Sequence, residues 1–192
     1  STGVGSALGR RGGRVLPIDG DAGLSCLDHM LGVAQERVYD LSDVISGGAE
    51  LGQAVYPCPW QENLFLLAAP SREEDLVSPD VMKQLVRALA RFYDHVLIDC
   101  PAGIGAGFFS AAAGADRALV VSTPDPVCLR NSAKTRTALE KAGITQQRLV
   151  VNRFSGAAFR SQGVFHSLDD VIDAVGVRLI AAIPEDPGVA AA

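Results

Sequence analysis

Acidic and amide side chains stand at the ends of several apolar runs in this sequence, and such groups bind magnesium and nucleotide bases. These residues are Asp19 with Asp21, Asp99, Asn152, and Glu185 with Asp186. Carboxylates can hold a hydrated Mg²⁺ ion, and a carboxamide offers a purine a donor and an acceptor side by side. The set therefore indicates a nucleotide site in outline. The alternative is that these residues are ordinary polar caps of loops.

The apolar runs alternate with helix-like segments, and this alternation predicts how the polar residues are positioned. Strands are predicted at 14–19, 63–68, 96–99, 117–122, 148–152 and 177–183. Helices are predicted at 1–11, 24–31, 78–92 and 127–142, with others ending at 113 and starting at 167. Strands separated by helices pair in parallel, which predicts an α/β fold with a doubly wound, mostly parallel sheet flanked by helices. The polar residues should then converge at one sheet edge.

Three segments do not fit the simple alternation of strands and helices. Pro17 falls inside a predicted strand, where a missing N–H is normally tolerated only at an edge or a bulge. Residues 56–60 contain two prolines and are predicted to be a loop that follows brief helical turns at 40–45 and 51–55. The charge run at 72–75 is interpreted as a solvated loop without chemistry.

Composition narrows the class of protein. With 192 residues, 48% of them hydrophobic, a single domain spanning 1–192 is expected. A net charge of -5 argues against a general nucleic-acid surface. The four cysteines lack a C-x-x-C pair, which favours a reduced, cytoplasmic protein, and the three histidines are too scattered for a zinc site. The small-residue segment 102–115 is too short to span a membrane and is expected to be a buried helix.

Three segments, in this order, resemble the MinD/ParA family of deviant Walker ATPases, which have a P-loop NTPase fold. Residues 15–28, Val-Leu-Pro-Ile-Asp-Gly-Asp-Ala-Gly-Leu-Ser-Cys-Leu-Asp, resemble the segment after the family's P-loop helix. Residues 97–104, Leu-Ile-Asp-Cys-Pro-Ala-Gly-Ile, resemble its Walker B motif and switch II. Residues 183–186, Ile-Pro-Glu-Asp, resemble its turn beside the adenine. The similarity runs along essentially the whole chain.

The resemblance implies a role for each polar residue, with ATP or ADP and Mg²⁺ as cofactors. Asp21 matches the switch I aspartate that organises the metal and the attacking water, with Asp19 beside it as a second catalytic candidate. Asp99 matches the Walker B aspartate at the metal. The implied nucleotide contacts are Gly103, which senses the γ-phosphate, and Asn152, Pro184, Glu185 and Asp186 near the base.

The resemblance also implies an ATP-switched dimer that positions cellular structures, in division-site selection or a related process. Homodimerisation and regulatory or cargo proteins as partners are expected, without direct nucleic-acid binding. Asp125 and Arg130 match positions near the family's dimer interface, whereas Asn131 stands where an aspartate is common. The expected location is the cytoplasm, while full-length relatives lie peripherally at the inner membrane face.

The sequence departs from the family at the phosphate loop. The family motif is K-G-G-x-G-K-[ST]-[ST], but the lysines here are Lys83, Lys134 and Lys141, and none follows glycine. Aligned by its motifs, Ser1 falls just past that loop, so we expect a chain truncated at both ends, without the first strand or the C-terminal membrane helix. Membrane binding is not expected. Such a chain is predicted to bind ATP weakly and to hydrolyse it negligibly.

A missing first strand would leave the strands at 96–99 and 117–122 each with one side of unpaired backbone N–H and C=O groups. We hypothesise that these strands either close on each other or associate through their exposed edges. Two alternatives to the ATPase function are open. One is a non-catalytic pseudo-ATPase or protein-interaction module on the same scaffold, and the other is a different α/β enzyme whose acids match by chance.

Overall fold

A computed structural model describes residues 1–21, 26–70, 77–157, 159, 164–186 and 188. The chain forms two compact units, Ser1–Ala115 and Asp116–Ala192, which are described separately below. The predicted charge run at 72–75 and the beginning of the helix predicted at 24–31 lie outside the described residues.

The first unit alternates helices with short strands. Its elements are α1 (Thr2–Arg10), β1 (Val15–Asp19), α2 (Leu27–Leu31), α3 (Leu41–Ser46), a 3-10 turn (Leu51–Gln53), β2 (Val55–Pro57), β3 (Phe65–Leu67), α4 (Pro79–Leu89), β4 (His95–Asp99) and α5 (Ala106–Ala113). The strand order is β2-β3-β1-β4, and β1 is parallel to both of its neighbours. Ser78 caps α4 with Pro79 in the first turn, as its sequence predicts.

Strand β1 lies at the centre of the first unit's core. Val15, Leu16 and Ile18 are completely buried. Val15 packs into one apolar cluster, with Leu64 and Leu66, while Leu16 and Ile18 pack into a second. Because successive side chains of a strand point to opposite faces, both faces of β1 are covered. The continuous apolar run therefore marks a doubly buried strand.

Pro17 lies in an interior strand, and not at an edge where proline is normally tolerated. Pro17 lies opposite Leu97 in the continuous β1–β4 register. Towards β3, β1 pairs only at Ile18↔Leu67 and through an isolated bridge, Val15↔Leu64. The proline has no N–H to give to a ladder, and the interrupted pairing on the β3 side accommodates that loss.

The loop predicted for residues 56–60 is partly wrong. Tyr56 and Pro57 belong to β2, which pairs antiparallel with β3. Strand β2 is at the edge of the sheet, where one side of a strand needs no ladder hydrogen bonds, so proline is tolerated there. The Tyr56 hydroxyl also accepts from the backbone N–H groups of Val38 and Tyr39, which fixes this short strand to the segment before α3.

The second unit contains a smaller, entirely parallel sheet. Its elements are β5 (Ala118–Ser122), α6 (Pro126–Lys141), β6 (Gln147–Phe154), α7 (Leu168–Val175) and β7 (Leu179–Pro184). The strand order is β5-β6-β7. Leu149 and Val151 of β6 are fully buried, whereas Leu119 and Val121 of β5 and Ile180 of β7 are about half exposed.

These mixed and parallel sheets flanked by helices confirm the predicted α/β class. Strand β4 is an edge of the first sheet and β5 is an edge of the second. Among the described residues, no helix has both the length and the apolar character needed to cross a membrane.

Candidate functional site

Strands β1 and β4 bring two acidic residues side by side at the carboxyl edge of the first sheet. The strands are parallel and in register, so that Asp19 is the direct partner of Asp99. Immediately beyond, the Gly20 N–H donates to the Asp99 carbonyl oxygen at 2.9 Å. A Cβ at position 20 would lie 2.5 Å from that oxygen. Only glycine therefore allows the two strand ends to approach this closely.

The Asp19 carboxylate organises the loop that follows β1. Its Oδ1 accepts from the Asp21 N–H at 3.1 Å, and its Oδ2 accepts from the Leu27 N–H at 3.4 Å. These bonds hold both the beginning of the loop and the first residue of α2. Asp21 therefore lies at the same edge as Asp19 and Asp99, which is where the sequence predicts the three acids to converge.

Burial makes Asp19 an unusual acid. The residue is only 2% exposed. Burial raises the pKa of its carboxyl above the ordinary value of 3.8, the two backbone N–H donors oppose this shift, and the negative charges of Asp99 and Asp21 add to it. Asp99 and Asp21 themselves are only partly buried. The edge thus combines one buried carboxylate with two that solvent can reach.

Sequence reasoning missed a fourth group at this edge, the hydroxyl of Ser1. Its Oγ donates to Asp99 Oδ1 at 2.6 Å. Ser1 precedes α1 as its N-cap residue, but its side chain makes no capping bond to that helix. The only signal in the sequence was a hydroxyl residue at the start of a helix, and we interpreted it as part of the helix alone.

Gly103 lies in the turn between β4 and α5. Its φ is +86°, in the left-handed region that favours glycine, and a Cβ there would have open space around it. The backbone conformation, and not crowding, therefore requires glycine at this position. A cavity of about 10 Å³ between Asp19, Met82 and Ser110 is large enough for one water molecule but not for a nucleotide.

The donor set at this edge fits a hydrated Mg²⁺ ion. The described residues contain no group of three or more His, Cys, Asp or Glu side chains arranged to hold a metal. Mg²⁺ does not need such a cage, because it keeps several waters and is bound through one or two carboxylates together with phosphate oxygens. Asp99, with its Ser1 partner, and Asp21 supply that number of oxygen ligands.

The remaining predicted residues lie at the carboxyl ends of β6 and β7 in the second unit. Between the pairs Val151↔Ala182 and Phe154↔Pro184, β6 contains one more residue than β7, which is a β-bulge at Asn152 and Arg153. Asn152 is partly buried, and its carboxamide has no partner among the described residues. Asp186 is exposed, and its Oδ1 accepts from the Gly188 N–H at 2.8 Å.

Arg153 joins the two strand ends. Its Nε and Nη2 atoms donate to Glu185 Oε1 at 3.2 and 2.9 Å, and the Glu185 N–H donates to the Phe154 carbonyl at 3.1 Å. Its φ of 53° is in the left-handed region, which costs an L-residue about 1–2 kcal/mol. An exposed ion pair stabilises the folded protein by only about 0–1 kcal/mol, which is less than this cost. Sequence reasoning missed this residue, since no sequence pattern predicts a left-handed arginine.

Asp125 acts as the N-cap of α6. Its carboxylate accepts from the Cys128 N–H at 3.0 Å and from the Thr123 hydroxyl. The hydrogen bond from Cys128, which has the largest effect, and the bond from Thr123 lower the pKa of this carboxyl to about 2. Arg130 and Asn131 follow on the exposed surface of the same helix. The role of these residues at a dimer interface stays a prediction.

No family model matches the chain, but individual proteins do. Over 184 residues it is 36% identical to the septum site-determining protein MinD of Synechocystis sp., which covers 95% of this chain and 69% of that protein. The MinC:MinD cell division protein complex of Aquifex aeolicus contains a chain with a TM-score of 0.87 at 31% identity, covering 98% of this chain and 75% of that one. The septum site-determining protein MinD of Pyrococcus horikoshii, complexed with Mg-ADP, has a TM-score of 0.83 at 32% identity, covering 98% and 75%.

These likenesses agree with the three ordered motifs and with the α/β fold. The Synechocystis relative is matched over more than two thirds of its length at well above 30% identity. The chain belongs to the MinD family of septum site-determining proteins.

Proposed function

We propose that residues 1–192 form one nucleotide-binding domain of a MinD-type ATPase, which ATP and Mg²⁺ switch between states during division-site selection. The observation that carries this proposal is the in-register pair Asp19 and Asp99, with the Ser1 hydroxyl bound to Asp99 at 2.6 Å. A family member was solved with Mg-ADP, which supports the choice of ligand.

Each residue has a distinct task in this proposal. Asp99, with the Ser1 hydroxyl bound to it, would hold a water molecule of a hydrated Mg²⁺ ion, and Mg²⁺, when bound, would supply positive charge that neutralises the phosphates. Asp19 holds the backbone of Asp21 in place. The Asp21 carboxylate can then orient a water molecule. Gly103 allows the turn after β4 to present its backbone N–H groups to a terminal phosphate.

The base is assigned to the second unit. The Asn152 carboxamide provides one donor and one acceptor for a purine edge. Pro184 is the last residue of β7 and residues 185–186 follow it. The Glu185 N–H bond to the Phe154 carbonyl ties this segment to the end of β6, near Asn152. The proposed ligands are therefore ATP and ADP with Mg²⁺.

The proposed partners are a second copy of the chain and other proteins. The MinC:MinD complex of a relative supports a protein partner. Asp125, Arg130 and Asn131 are the residues we assign to the dimer surface. We assign the chain to the cytoplasm and, given its net charge of -5, to no direct nucleic-acid binding.

The 192-residue chain alone should bind ATP·Mg weakly and hydrolyse it negligibly. Phosphoryl transfer depends on lysines and backbone amides that neutralise the phosphates. The sequence contains no G-x-x-x-x-G-K-[ST] motif, and the acids at the β1–β4 edge alone would repel the phosphates.

Titration with a fluorescent ATP analogue, with and without Mg²⁺, tests the proposal. We expect weak binding that requires Mg²⁺ and is lost in Asp99→Asn. The exposed acid of α7 provides the matched control, and Asp169→Asn should bind like the unmodified chain. Binding that does not depend on Mg²⁺, or that is unchanged in Asp99→Asn, would contradict the ATPase assignment. Absence of binding would favour the non-catalytic interaction module.

A further inference from the structure

Arg153 has a backbone conformation that its residue type does not explain. It is the one non-glycine residue with a positive φ, 53°, among the residues that the structure describes. Arginine has no short polar side chain that could bond locally to its own backbone, as Asn or Asp does in this conformation. A strained backbone conformation that persists in a folded protein is a reason to look for a function.

The conformation occurs inside the bulge that ends β6. Asn152 and Arg153 together face one residue of β7, because the register advances by three residues in β6 and by two in β7. Bulges re-aim the side chains that they contain. The bulge therefore changes the direction of the Asn152 side chain relative to a regular strand, and Arg153 is the residue whose left-handed φ makes that bulge possible.

The side chain of Arg153 then fixes the neighbouring segment. Its Nε and Nη2 atoms both donate to Glu185 Oε1, at 3.2 and 2.9 Å. The two side chains are 69% and 45% exposed, so solvent screens the pair and it adds little to stability. Stability alone therefore does not account for an arginine where glycine would be free of strain.

Recognition of a purine base would explain why position 153 is an arginine and not a glycine. Adenine has a donor amino group where guanine has an acceptor oxygen. A carboxamide presents a donor and an acceptor, and a rotation by 180° exchanges them, so a freely turning asparagine can satisfy either base. Discrimination therefore needs a second group beside the amide whose hydrogen-bonding character does not change when the amide turns. Glu185, oriented by Arg153, is such a group, because its carboxylate accepts from an amino group and repels a carbonyl oxygen.

We propose that Arg153 is a positioning residue for base selection: its left-handed backbone and its ion pair with Glu185 orient Asn152 and Glu185 so that this strand edge prefers adenine over guanine. This inference rests on the proposed nucleotide function. It assigns the adenine preference to a residue that need not touch the base.

The test compares ATP·Mg and GTP·Mg titrations of the full chain by ¹H–¹⁵N NMR, which measures weak binding and reports on each edge separately. We expect the unmodified chain to prefer ATP. In Arg153→Gly the preference should fall by about tenfold, while the thermal midpoint is unchanged or higher because glycine adopts this φ freely. Arg153→Lys should retain part of the preference. Arg148→Ala, an exposed arginine at the other end of β6, is the matched control and should leave the preference unchanged.

The outcomes separate this inference from the proposed function. Shifts of amides near Asp99 with both nucleotides, together with an Arg153→Gly preference equal to that of the unmodified chain, would overturn the role of Arg153 alone. If Arg153→Gly fails to fold, Glu185→Gln keeps the backbone and must show the same loss of preference, or the inference is wrong. If neither nucleotide shifts any amide, the nucleotide function and this inference both fail.

Discussion

The carboxyl ends of the two sheets carry similar residue types in opposite environments. At the β1–β4 end, Asp19 is 2% exposed and its pKa is raised by burial. At the β6–β7 end, Glu185 is well exposed and is paired with Arg153. One acid is held by backbone N–H groups inside the protein, and the other by a guanidinium in solvent.

The difference shows that a polar residue at a strand end can serve two purposes. Asp19 is part of the folded structure, because two backbone N–H groups depend on it. Glu185 can be removed without leaving a buried group unpaired. Mutations at the first end should therefore affect stability first, and mutations at the second end should affect recognition with little change in stability.

Replacing the acid at each end tests this difference most directly. Asp19→Ala leaves the N–H groups of Asp21 and Leu27 without their acceptor, and should lower the free energy of unfolding by about 2–4 kcal/mol. Glu185→Ala removes an exposed ion pair and should change it by less than about 1 kcal/mol. Urea unfolding of both variants gives the comparison. Similar losses in the two variants would show that the ends do not differ as we infer.

Glycine substitutions test how closely the ends of β1 and β4 approach each other. A Cβ at Gly20 would meet the Asp99 carbonyl, so Gly20→Ala should destabilise the protein by about 1–3 kcal/mol. Gly3 is an exposed position of α1 with nothing near its Cβ, so Gly3→Ala should stabilise by about 0.5–1 kcal/mol. Thermal unfolding midpoints should therefore move in opposite directions. A neutral Gly20→Ala would mean that the strand ends are further apart.

The pH dependence of stability should have opposite signs for Asp19 and Asp125. The folded pKa of Asp19 is raised above 3.8, so its contribution is greatest at low pH and is lost as the pH rises through the raised pKa. The folded pKa of Asp125 is about 2, so its contribution is present above 3.8 and is lost as the pH falls towards 2.

Substitution of each aspartate by asparagine measures how its contribution to stability changes with pH. The cost of Asp125→Asn should be largest near neutral pH, at no more than about 1 kcal/mol, and should shrink in acid. The cost of Asp19→Asn should shrink as the pH rises. Urea midpoints measured from acid to neutral pH provide both curves. Curves that run parallel would contradict the assigned pKa shifts.

The sequence predicted several elements of the fold because their signals are local. Ser78-Pro79 marked the start of α4, and the apolar run before Asp99 marked a strand. It left Pro17 unexplained, because the gap in pairing that accommodates the proline is formed with β3, far away in the chain. It also missed β2, whose strand character depends on pairing with β3.

The candidate site divides in the same way. The types of its residues follow from motifs that can be seen along the chain, as for Asp99 and Asn152. The Ser1 bond to Asp99 joins residues 98 positions apart, and no local pattern predicts it. The Arg153 conformation depends on the register between β6 and β7, which only a folded sheet establishes.

By itself, the sequence determined the α/β class, the family and the identity of the polar residues at the strand ends, because periodicity and motifs are properties of neighbouring residues. Only the tertiary structure decided that Asp19 is buried, that Ser1 reaches Asp99 and that Arg153 pairs with Glu185. Burial, pKa and side-chain partners depend on which distant segments meet, and the chain brings those segments together only when it folds.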